Sequence, residues 1–141
     1  MKKVFFVLGV LYSMSTSFLT HAGEYNITVD NVDIDTGDFV KKGIGYNGAS
    51  PGPVLRFKEG EDVTINVTNN LSVSTSIHWH GLILPFEMDG VPGISFKGIA
   101  PGETFTYKFP ITQNGTYWFH SHSGFQEPDG AYGAIVIESK D

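Results

Sequence analysis

The stretch DVTINVTN, Asp62–Asn69, decides the fold class. Val63, Ile65 and Val67 alternate with polar residues, the period of a strand with one face buried. TFTYKFP, Thr104–Pro110, repeats the pattern with Phe105, Tyr107 and Phe109 on one face. Further strands are predicted near Tyr25–Ile34, Phe39–Tyr46, Val54–Lys58, Thr75–His80, Gly115–His120 and Gly133–Glu138. Between them lie SPGP, KEGED, DGVPG, APGE and QNG, whose Gly, Pro, Asn and Asp residues favour turns. No helical periodicity competes. Seven or eight short strands predict an all-β, antiparallel sandwich of Greek-key type. The longest irregular stretch, between His80 and Ala100, is where a functional loop is expected.

The chain divides at about residue 22. Met1-Lys2-Lys3 is a basic start, VFFVLGVLYSM is apolar, and Thr20 and Ala22 are small residues placed before a cut. Residues 1–22 therefore read as a secretory signal peptide, the apolar run being short of the ~20 residues a membrane anchor needs. Residues 23–141 then form one domain of 119 residues, large enough to bury a core without covalent staples. Loss of Lys2 and Lys3 takes the net charge from −6 to −8, which argues against nucleic acid and against an anionic membrane surface as partners. The chain has no cysteine, so it offers neither a disulfide nor a thiolate ligand.

SIHWHG, Ser76–Gly81, and YWFHSHSG, Tyr117–Gly124, hold all four histidines outside the leader. Residues i and i+2 of a strand share a face, so His78 and His80 point one way and Trp79 the other. His120 and His122 match them if the strand continues through Ser121. A lone histidine is ordinarily a packed or surface residue. Two H-x-H pairs point to a metal, because neutral imidazole offers one lone pair while its second nitrogen fixes the ring. An all-imidazole set suits Cu(II), Zn(II) or Ni(II), with raw affinity favouring copper. Trp79 and Trp118 are read as packing residues, Arg56 as a surface residue, and Asp89-Gly90 as a turn.

SIHWHG, DGVPG, NGTYWFHSHSG and PGPVLRFKEGEDVTINVTN together resemble the first cupredoxin domain of multicopper oxidases, above all the bacterial periplasmic copper-resistance oxidases of laccase-like build. The likeness runs from Tyr25 to Glu138. It implies a cupredoxin-like sandwich, copper as cofactor, dioxygen as a further partner, a periplasmic location and a part in copper tolerance. It also implies half of a trinuclear copper site. His78 would serve the type 2 copper, and His80, His120 and His122 the type 3 pair. Asp89, nine residues after His80, would relay protons beside the cluster. The family's H-C-H motif, which supplies the other half-site and the type 1 copper, is absent here. Three expectations follow: a piece of a larger oxidase, a copper-binding protein acting alone, or a subunit completed by a second chain bearing H-C-H. A non-metal binding module is the further alternative, since fold does not set function.

Overall fold

The computed structural model describes residues 23–141, and the signal peptide expected over 1–22 lies outside the described residues. In chain order the strands are β1 (Gly23–Asp35), β2 (Val40–Tyr46), β3 (Leu55–Lys58), β4 (Asp62–Asn69), β5 (His78–His80), β6 (Thr104–Pro110), β7 (Gly115–His120) and β8 (Tyr132–Glu138). They form two four-stranded sheets, ordered β2-β1-β4-β6 and β3-β8-β7-β5. The all-β, two-sheet expectation holds.

The sheets are mixed rather than wholly antiparallel. β1 runs parallel to β4 from Gly23↔Val63 to Val29↔Asn69 and antiparallel to β2 from Val29↔Tyr46 to Asp35↔Val40. β3 likewise runs parallel to β8. A period-two pattern reports which face is buried and not strand direction, so the sequence left this open.

The core lies between the sheets. Val63, Ile65 and Val67 of β4 and Tyr107 and Phe109 of β6 face Leu55, Phe57, Trp79, Phe119, Ile135 and Ile137 from the opposite sheet and Ile77 just before β5, all buried. Each such side chain contributes about 1.5–3 kcal/mol of burial. Trp79 joins the two layers. Its ring meets Tyr107 edge-on at 5.2 Å and leans on Phe109 and Phe119 at 5.6 and 5.8 Å.

One strand is shorter than its sequence predicts. Thr75–His80 alternates throughout, yet only His78–His80 joins a ladder. Thr75 exchanges both backbone bonds with Ile99 instead, and the Ile77 N–H donates to the Tyr107 hydroxyl at 3.2 Å. The stretch after His80 is irregular, as expected, apart from a single 3-10 turn at Phe86–Met88.

Candidate metal centre

The site follows from one register. β5 pairs antiparallel with β7 through His78↔His120, Trp79↔Phe119 and His80↔Trp118. Paired residues share a face, and the face alternates along each strand. Trp79 and Phe119 therefore enter the core. His78, His80, Trp118 and His120 stand together on the other side of the sheet. Ring centroids of His78, His80 and His120 lie 5.4–5.5 Å apart.

Donor atoms of these three histidines lie within 4.8 Å of one another. His122 stands further out, its ring 5.8 Å from His78 and 6.2 Å from His120. The strand does not continue through Ser121: β7 ends at His120, because the Ser121 N–H still reaches the Ala131 carbonyl at 3.0 Å but the Ala131 N–H that would return the bond donates to the Gln126 carbonyl at 2.9 Å. His122 thus reaches the cluster from a loop. The four differ in exposure: His120 is buried, His78 half-buried, and His80 and His122 exposed.

Fixed acceptors set the tautomers. A carbonyl can only accept, so the ring nitrogen facing it carries the proton. His78 Nδ1 donates to the Asp89 carbonyl at 2.7 Å, and His120 Nδ1 to the Ser121 carbonyl at 3.0 Å. Both rings therefore keep their Nε2 lone pair for another partner. A Glu127 carboxylate oxygen also lies 3.0 Å from His120 Nδ1. Burial holds the His120 pKa below the ordinary imidazole value. The Ser121 carbonyl and Glu127 oppose that shift, while His78 and His80 add to it. That direction favours the neutral ring, the form that can ligate.

His80 Nδ1 and His120 Nε2 face each other at 3.3 Å. Two nitrogens at about 2.0 Å from one ion and this far apart subtend about 110° at it. The donor set fits a metal that takes imidazole nitrogen.

Asp89 comes to the site by its backbone first. Its carboxylate oxygen is 3.5 Å from His78 Nδ1, further than its own carbonyl, and the side chain is 36% exposed. The turn chemistry expected of Asp89-Gly90 holds as well. Gly90 has φ +77°, and a Cβ there would fall 1.7 Å from the Ile77 carbonyl oxygen. Only glycine lets this loop lie against the strand that carries His78.

One packing expectation needs correction. Trp118 does not enter the core. It is half-buried and stacks on His120 at 4.1 Å and 24°, with His80 on it at 4.9 Å. Its place opposite His80 in the register puts it on the histidine face. Trp79 is fully buried and Arg56 exposed, as read. Phe125 and Tyr132, near the second pair, are 84% and 39% exposed.

Sequence reasoning missed Ser76, Ser121, Gln126 and Glu127, which surround the second pair. Ser121, Gln126 and Glu127 lie near HSH in sequence and Ser76 near HWH, and such proximity does not reveal which polar residue turns inward.

The multicopper oxidase family profile matches residues 26–141. The chain belongs to the multicopper oxidase family. Copper resistance protein A of Pseudomonas syringae pv. tomato is 52% identical over 118 residues, covering 84% of this chain and 19% of that protein. Laccase-2 of Botryotinia fuckeliana is 44% identical over 117 residues, covering 81% of this chain and 20% of that protein. Among solved structures, a multi-copper oxidase from Pseudomonas thermotolerans superposes with a TM-score of 0.81 at 36% identity, covering 85% of this chain and 30% of that one. The chain therefore spans about a fifth of the length of these two relatives. Family membership makes copper the cofactor, and the facing imidazole nitrogens suit it.

Proposed function

We propose that this chain is a copper-binding domain that contributes half of a trinuclear copper site for dioxygen reduction, in periplasmic copper tolerance. His78, His80, His120 and His122 hold the metal. The carrying observation is the pairing of His78 with His120 across β5 and β7, with the lone pairs of two rings already directed inward. Bound copper would supply the electron-transfer chemistry toward dioxygen.

The chain's own residues do the rest. The Asp89 and Ser121 carbonyls hold the His78 and His120 protons at Nδ1, away from the metal side. Trp118 covers one face of His120 and limits its rotation. The Asp89 carboxylate, part exposed at the rim, relays the protons that reduction of dioxygen to water consumes. Electrons and the remaining ligands come from outside this chain, which has no cysteine to bind a type 1 copper. The partner is a domain or second chain bearing H-C-H.

The close grouping of His78, His80 and His120 also favours a second reading, a periplasmic protein that binds and buffers copper without catalysis. One titration separates the two. Native mass spectra are recorded with Cu(II) at neutral pH, for the protein and for a His80→Ala/His120→Ala variant. Little copper on the monomer, with uptake only in an assembly, supports the half-site. Stoichiometric copper on the monomer, lost in the variant, supports buffering. Copper retained by the variant refutes both.

A further inference from the structure

The β5–β7 ladder stops at His78↔His120, so no strand pairing fixes His122. Side chains fix it instead. Gln126 is 7% exposed and lies where the two histidine-bearing segments meet. Its Oε1 accepts from Thr75 Oγ1 and from Ser121 Oγ, each at 2.7 Å. Both lone pairs of the amide oxygen are thus in use. Its Nε2 donates to the Ser74 carbonyl at 2.9 Å. One side chain therefore ties the residues that lead into His78 to the residue that separates His120 from His122.

The tie continues to His122. Ser121 Oγ accepts the Ser123 N–H at 3.1 Å, and Ser123 Oγ meets Ser76 Oγ at 2.9 Å. Ser76 Oγ in turn accepts the N–H of His122 at 3.0 Å. Thr75, Ser76, Ser121 and Gln126 are all buried, so water cannot replace a lost partner without opening the site.

We propose that Gln126 is the positioning residue of His122, holding the 121–123 loop against the segment before His78 so that the second pair meets the first. It touches no metal and acts through this network. The proposal rests on the reading that the histidines bind copper.

The test is a double-mutant cycle on Cu(II) affinity, measured by competition with nitrilotriacetate. Gln126→Leu is expected to weaken binding about 10–100-fold, the usual cost of losing an outer partner of a metal site. Adding His122→Ala to Gln126→Leu should cost little more, because His122 is already displaced. Gln126→Glu keeps an oxygen that accepts both hydroxyls but loses the donor to the Ser74 carbonyl, so it should recover only part of the loss. Multiplying losses in the double variant, or unchanged affinity in Gln126→Leu, overturns the proposal, since a residue that only supports the fold would act independently of His122. If Gln126→Leu does not unfold cooperatively, Ser121→Ala takes its place in the cycle, cutting the link between Gln126 and the loop. His122→Ala without effect, while His80→Ala/His120→Ala abolishes binding, overturns the proposal alone. No loss in that histidine double variant overturns the copper reading beneath it.

Discussion

Replacing Gly90 with alanine tests the link between backbone packing and the candidate metal centre. Gly90 has φ +77°, and the added Cβ would stand 1.7 Å from the Ile77 carbonyl oxygen and 3.1 Å from the His78 nitrogen. Cβ atoms do not approach such an atom closer than about 3.0 Å, so the two backbones must part by about 1.3 Å. The neighbouring Asp89 carbonyl moves with the loop. Its 2.7 Å bond from His78 Nδ1 then lengthens to about 4 Å, outside hydrogen-bonding range. The left-handed conformation costs alanine about 1–2 kcal/mol and the overpacking about 1–3 more, roughly 2–5 in all. At about 4 °C per kcal/mol, Tm should fall by about 8–20 °C. His78 also loses the partner that fixes its tautomer, so copper affinity should drop about 10–100-fold. Thermal unfolding by circular dichroism and Cu(II) competition measure the two effects. A Gly90→Ala protein with unchanged Tm and unchanged affinity would refute both the close approach and the carbonyl's role.

Three further outcomes are expected. Trp79→Ala should destabilise the domain by about 3–5 kcal/mol, the range for emptying an aromatic core site. Trp79→Phe should cost much less, since the buried Trp79 Nε1 has no hydrogen-bond partner to lose among the described residues; urea midpoints of the two variants decide this. Copper affinity should weaken as pH falls, because imidazolium has no lone pair to give, and a constant affinity from about pH 8 to 5 would exclude histidine ligands. Cu(II) should give no intense band near roughly 600 nm, since the thiolate of a blue copper site is missing, and visible spectroscopy of the loaded chain checks it.

The sequence by itself determined the fold class, the buried faces and the identity of the candidate ligands. Alternation along Asp62–Asn69 and Thr104–Pro110 is a local consequence of strand geometry, and it needs no knowledge of neighbouring strands. The first H-x-H pair was legible for the same reason, since i and i+2 share a face wherever a strand lies, whereas the second was legible only as a repeat of the motif. Tertiary structure decided what local pattern does not encode. The direction of β1 against β4 depends on chain crossings, and Thr75 left the β5 ladder because Ile99 took its backbone bonds. Trp118 joined the histidine face because His80 is its register partner, a relation between residues far apart in the chain. His122 reached the site through Ser76 and Gln126, since the strand expected to carry it ends at His120. Strand period fixes which way a side chain points. Only register and buried polar networks fix which other side chains it meets.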